Sequence, residues 1–231
     1  MARCCCWCSQ REILTFCADA ADIDDCAYQS YVAEAGWSRD TRNRIIFPSR
    51  GGLFSLGTDV AVPLSDDDLT FYKMRLSKTH YMPLSRYLTF MVDGELAHAR
   101  PYGDSQFLSP QDRYFAGGIS TVRGYRANSL GPRDSNLDPM GGDTRLLGRT
   151  ELIFPPPWSL DNRSMRFRAF FDAGNVYDYE EGVELDELRY SGGISLSWFT
   201  PVGPLTFSYA RPLNKQDGDR TERFQFTLGT P

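Results

Sequence analysis

The stretch Arg189-Tyr-Ser-Gly-Gly-Ile-Ser-Leu-Ser-Trp198 sets Tyr190, Gly192, Ile194, Leu196 and Trp198 against Arg189, Ser191, Gly193, Ser195 and Ser197. A residue period of two places the two sets on opposite faces of a β-strand. Downstream, Leu205, Phe207 and Tyr209 alternate with Thr206, Ser208 and Ala210, and Phe224, Phe226 and Leu228 with Arg223, Gln225 and Thr227. Upstream the pattern recurs over 54–62, 72–77, 88–96 and 165–173; in the last of these Met165, Phe167, Ala169 and Phe171 oppose Arg166, Arg168 and Asp172. The chain reads as all-β.

Alternation alone fits a soluble sandwich as well as a membrane barrel. The connections separate the two. Short Pro-containing turns, Phe47-Pro-Ser-Arg-Gly51, Met82-Pro-Leu-Ser-Arg86, Phe154-Pro-Pro-Pro-Trp158 and Thr200-Pro-Val-Gly-Pro204, alternate with longer polar connections at 63–69, 101–143, 177–187 and 212–221. Strict alternation of short and long is what an antiparallel up-and-down transmembrane β-barrel produces, with tight turns on one side and long loops on the other. The charge on the polar faces is also too high for a sandwich core. Tyr81, Tyr87, Trp158, Tyr190 and Trp198 lie near strand ends, where interfacial girdles are expected.

Composition agrees. No stretch of the 231 residues approaches the roughly 20 apolar residues of a membrane-spanning helix, whereas a barrel strand needs only about 9–11 residues with every second one apolar. A formal net charge of −5 gives no electrostatic case for nucleic acid as a partner.

The loop over 101–143 carries Tyr114-Phe-Ala-Gly-Gly-Ile-Ser-Thr-Val-Arg-Gly-Tyr125. Glu151, Phe170-Phe-Asp-Ala-Gly-Asn175, Pro201-Val-Gly-Pro-Leu-Thr-Phe-Ser-Tyr-Ala210 and Phe224-Gln-Phe-Thr-Leu-Gly229 follow it. From about Tyr31 onward, in order and spacing, these residues resemble the C-terminal part of the BamA family of outer-membrane protein assembly factors, the bacterial surface antigen barrels. The resemblance implies a partial barrel, about nine C-terminal strands of a sixteen-strand barrel, spanning 31–231. It also implies location in the bacterial outer membrane. The implied partners are the lipid bilayer, unfolded outer-membrane protein clients and the lipoproteins of the assembly complex.

In that family the motif loop folds into the barrel and its arginine pairs with acids on the inner wall. Carried over, Val122, Arg123, Gly124 and Tyr125 form a loop anchor, with Glu151 and Asp172 as wall partners. Face parity agrees: Glu151 shares a strand face with Arg145 and Arg149, and Asp172 with Arg166 and Arg168. An arginine fork can hold two carboxylates at once, which lysine cannot copy. The final strand, Phe224, Phe226, Leu228 and Gly229, matches the family's weak lateral seam, where a client strand adds by β-augmentation, with Gly229 as a kink point. Family members end in an aromatic residue, whereas this sequence stops at Thr230-Pro231. Nine strands leave unpaired edges that lipid does not tolerate, so a fragment of a larger barrel is expected.

Residues 1–30 read as an irregular Cys-rich start, with Cys4, Cys5, Cys6, Cys8, Cys17 and Cys26. The single Cys-x-x-Cys pair, Cys5 and Cys8, has neither a second pair nor nearby histidines for zinc, nor the βαβ context of a redox motif. No signal peptide is visible. Glu151 and Asp172 could be a hydrolytic carboxylate pair, but the arginines beside them favour ion pairing. His80 and His98 are the only histidines, and neither a nucleophile elbow nor a phosphate-binding loop is present. No catalytic residue, metal or cofactor is expected. The alternative functions are a translocation barrel of the two-partner secretion or TamA type, which shares the Arg-Gly-Tyr loop, and a general diffusion pore, which does not.

Overall fold

The computed structural model describes residues 30–231 except 64–67, 104, 106, 163, 179–181, 202 and 230–231. The Cys-rich start thus lies outside the described residues. Nine strands form one antiparallel sheet in chain order: β1 (Tyr31–Asp40), β2 (Gly51–Val62), β3 (Phe71–Pro83), β4 (Thr89–Pro101), β6 (Thr144–Phe154), β7 (Met165–Tyr177), β8 (Arg189–Thr200), β9 (Gly203–Pro212) and β11 (Phe224–Leu228). Each strand pairs with its sequence neighbours only, as in an up-and-down barrel wall, and the sheet does not close on itself. Among the described residues no helix is long and apolar enough to cross a membrane.

Three short elements interrupt this pattern, and none is visible in the alternation. β5 (Gly124–Tyr125) pairs with β10 (Thr221–Glu222), so the motif loop is not wholly irregular and carries a short ladder of its own. A 3₁₀ turn over Leu185–Glu187 sits between β7 and β8.

The burial pattern is inside out relative to a soluble domain. On β8 and β9 the small polar set is covered, with Ser191 at 0 % and Ser208 at 2 % exposure, while Ile194 and Tyr209 stand at 60 % and 54 %. Lipid is the solvent for which such an apolar outer band is suited. The inner face follows the register: Thr79 opposes Asp93, Asp93 opposes Arg149, Arg149 opposes Asp172 and Asp172 opposes Ser191. Charged residues of both signs therefore line one row of the concave wall. Tyr81 belongs to this inner face, in the row of Met91 and Glu151, and is not part of an outer girdle. Tyr190 does face outward, stacked on Phe171 at 5.9 Å.

Candidate functional site: the inward-folded loop and its anchors

The connection from β4 to β6 folds against the concave wall instead of projecting away from it. Its tip is shaped by its own backbone bonds: Gly118 N donates to Val122 O at 3.2 Å and to Tyr125 O at 3.1 Å. Gly124 has φ +90°, a conformation that side-chain-bearing residues rarely adopt, and a Cβ there would lie 3.0 Å from Ala210 Cβ on β9. Glycine thus both turns the chain and lets it lie against the wall. Val122 and Tyr125 are fully buried and belong to the principal apolar cluster with Leu130, Leu147 and Val176.

Between these two buried residues Arg123 points into the wall. Its Nε donates to Asp172 Oδ2 at 2.7 Å and Nη2 to Asp172 Oδ1 at 2.6 Å, the two parallel bonds of a guanidinium fork. The Arg123 backbone N–H also donates to Asp172 Oδ2 at 3.1 Å, so one carboxylate holds both the side chain and the main chain of the loop. The remaining nitrogen, Nη1, lies 2.7 Å from Glu151 Oε1, and Arg168 Nε lies 3.6 Å from Glu151 Oε2. The guanidinium rests 3.5 Å above the centroid of Phe170, a cation–π contact that covers its remaining face. Burial would lower the Arg123 pKa, but hydrogen bonds and charge from Asp172 and Glu151 outweigh it and hold the group above the ordinary arginine value.

The supporting arginines of the wall hold more of the loop. Arg149 ties Asp93 at 2.8 Å to the carbonyl of Ser120 at 2.7 Å. Arg145 pairs with Glu95 and donates to the carbonyl of Phe115 at 3.0 Å. The sequence places these cations only on the face of Glu151; their second bonds, to loop carbonyls, depend on where the loop returns.

A second set of contacts ties the loop to the end of the chain. Gln225 Nε2 donates to Tyr125 O at 2.7 Å, and Gly124 N donates to Gln225 Oε1 at 3.4 Å, so one amide both gives to and receives from the motif backbone. Farther out, Asp219 accepts from Arg189 Nε at 2.7 Å and lies 3.4 Å from Arg133 Nη2. Tyr125 donates to Tyr190 O at 3.4 Å; burial and the Asp219 charge push its phenol up to about 12.

Of the residues singled out in the sequence, the structure brings Val122, Arg123, Gly124, Tyr125, Glu151 and Asp172 together. Phe224, Phe226 and Leu228 are not part of this cluster; they face outward and are exposed, and Gly229, at φ +113°, donates to Pro204 O at 2.7 Å just beyond the strand. Sequence reasoning misses Phe170, Gln225 and Asp219. Parity puts Phe170 and Gln225 on the inner face, which is the only signal the sequence holds for them.

An all-antiparallel wall with a polar concave face, an apolar convex face and a loop anchored inside defines part of a transmembrane β-barrel. The Omp85 superfamily domain matches residues 12–231, and the chain belongs to that family. It is 33 % identical over 228 residues to the outer membrane protein assembly factor BamA of Neisseria meningitidis, covering 87 % of this chain and 28 % of that protein. It is 30 % identical over 208 residues to the mouse sorting and assembly machinery component 50 homolog, covering 82 % of this chain and 43 % of that protein. The crystal structure of BamA from Haemophilus ducreyi lacking POTRA domains 1–3 superimposes with a TM-score of 0.76 at 28 % identity, over 87 % of this chain and 42 % of that one. The chain thus spans less than half the length of each.

Proposed function

We propose that this chain is the C-terminal part, over 31–231, of the barrel of an outer-membrane assembly factor, and that it acts without enzymatic chemistry by offering strand edges to unfolded outer-membrane protein clients. The relatives named as assembly factors support this reading. The observation that carries it is the contrast at the end of the sheet. β11 pairs with β9 over five residue pairs, against ten between β8 and β9 and thirteen between β3 and β4.

A short final strand has few ladder bonds to hold it, so its outer edge is the place where an incoming strand can add by β-augmentation. Phe224, Phe226 and Leu228 would meet lipid beside that seam, and Gly229 would let the strand end bend away. In this reading Val122, Arg123, Gly124 and Tyr125 are an anchor with no catalytic role. With Glu151 and Asp172 they fix the 101–143 loop, while Gln225 couples the loop to the strand that must remain poised. The lipid bilayer, client chains and accessory lipoproteins are the partners; nucleic acid and cofactors have no part.

The test is a photo-crosslinking residue at Leu228 in the full-length protein, in membranes actively assembling a client barrel. Crosslinks to the terminal strand of the client support the assembly reading. Crosslinks confined to the protein's own first strand overturn it. Crosslinks from the inner-face position Ser195 to a secreted passenger would assign a translocation barrel instead.

A further inference from the structure

The convex face near the short turns of β1–β3 carries a cluster that the loop anchor does not use. Register fixes its sidedness. Leu53 and Thr79 lie on the inner row with Asp93, so Gly52, Phe54, Lys78 and His80 face outward, and Arg39, paired with Phe54, faces outward with them. These residues and Thr41 line a hollow of about 250 Å³. The hollow exists because Gly52 has no side chain: a Cβ there would lie 2.5 Å from Thr79 O and 3.1 Å from His80 Nδ1.

The chemistry of this hollow is at odds with its neighbourhood. The outward positions around it on β2–β4 are Leu56, Leu76, Met82, Phe90, Val92 and Gly94, with no carboxylate among them. Among the described residues neither Arg39 nor Lys78 forms an ion pair, whereas the inward-facing Arg145, Arg149, Arg168 and Arg189 of the sheet do. A cation turned toward hydrocarbon is costly unless its long stem carries the charge to the interface and an anion meets it there. Lys78 stands five residues inside the turn end of β3, within such reach. On the other side, Trp37 packs edge-on against Phe54 at 5.6 Å and marks the apolar border of the hollow.

We propose that this hollow binds the phosphate of an anionic glycerophospholipid in the leaflet at the short-turn side of the barrel. Arg39 and Lys78 would hold the phosphate oxygens, His80 would supply a further polar contact, and the acyl chains would run over Leu56, Leu76 and Val92. The proposal rests on the membrane-barrel reading above.

The experiment uses the full-length protein with Trp158 and Trp198 changed to Phe, in nanodiscs of phosphatidylcholine doped with bromine-labelled phosphatidylglycerol or bromine-labelled phosphatidylcholine. The readout is quenching of Trp37, resolved from the remaining tryptophans by the difference from a Trp37→Phe sample. Half-maximal quenching is expected at a roughly 25-fold lower mole fraction of the phosphatidylglycerol, about five-fold for each of the two cations, and the double variant Arg39→Gln/Lys78→Gln should abolish the difference. Equal quenching by the two lipids, or a preference that survives the double variant, overturns the lipid site. A preference abolished by millimolar inorganic phosphate assigns the hollow to free phosphate and overturns the lipid assignment too. Absence of quenching by either lipid would mean that this face is not in the bilayer at all, a failure of the barrel reading itself.

Discussion

Two ionic clusters hold the motif loop, and the ions that bridge them are of opposite sign. In the inner cluster a cation, Arg123, bridges two carboxylates, Asp172 and Glu151, all three side chains being at most 6 % exposed, with Arg168 at a longer 3.6 Å from Glu151. In the outer cluster one carboxylate, Asp219, meets two cations, Arg189 and Arg133, whose side chains keep 11 % and 15 % exposure. The two clusters also differ in their access to water. Removing Arg123 inside takes the ion pair from Asp172 and leaves Glu151 with the longer Arg168 contact at 3.6 Å, in a place that water cannot reach, whereas removing Asp219 outside leaves two cations that can still turn to solvent. The first cluster depends on Arg123 far more than the second depends on Asp219.

That asymmetry can be broken experimentally, beginning at the bridging cation. Arg123→Ala should cost about 3–5 kcal/mol, the range for breaking a buried ion pair from one side. The urea midpoint of the barrel refolded in detergent would measure it, and a loss under about 1 kcal/mol would mean that water enters the site. Arg123→Lys should recover little, because a single ammonium cannot reproduce the fork on Asp172 while reaching Glu151. Asp172→Asn should be the next most damaging and worse than Glu151→Gln, since Asp172 accepts three bonds from Arg123, one of them from the main chain. The two midpoints compared in the same detergent would show it.

Gln225→Ala should cost about 1 kcal/mol, the net worth of a buried hydrogen bond, because it strips Gly124 N of its side-chain partner and leaves Tyr125 O with the bond from Gly118 N. Faster hydrogen exchange at Gly124, with that of Val122 unchanged, would separate this effect from a general loosening. Asp219→Asn should cost about 1 kcal/mol or less, given the partial exposure of its cations. Its sign would be faster proteolytic nicking of the 212–221 loop with only a small fall in the urea midpoint.

The mildest change is one of pH. The Tyr125 phenol is held at about 12, above its ordinary 10, by burial and by the Asp219 charge. An acid whose folded pKa is raised favours the fold while it is neutral. That contribution is complete below about pH 10 and is lost as pH rises from 10 through about 12. Tyr125→Phe should therefore shrink the alkaline loss of stability within that window and leave the profile below about pH 9 parallel to the parent's.

The wall is legible because its evidence is local. The strand at Arg189 to Trp198 announces both faces within ten residues, and the alternation of short and long connections orders the strands without any knowledge of distant contacts. Arg123, Glu151 and Asp172 can be named from the motif run and from parity, but parity says only that a residue faces inward, not what it meets there. Phe170 as the platform under Arg123 depends on Gly193, its register partner, having no side chain; a Cβ there would stand 2.8 Å from the Phe170 ring. Gln225 and the β5–β10 ladder depend on a loop returning across about a hundred residues of chain, a separation at which periodicity carries no information. The outward hollow shows the same limit. The alternation read in the sequence does not include Arg39 or Lys78, and only the pairing of three strands puts the two cations on one face beside the vacant side of Gly52.

The amide fork of Gln225 has a consequence for the order in which the barrel assembles. Arg123 and Asp172 are separated by 49 residues, and Gln225 and Tyr125 by 100. Long closures are slow because the chain entropy they cost comes before any contact offsets it. The arginine latch can close once β7 is in place, whereas the amide can close only after β11 arrives. The loop therefore has one tether that needs only the strands through β7 and another that exists only when β11 is paired, so the second contact registers the presence of β11 in the sheet.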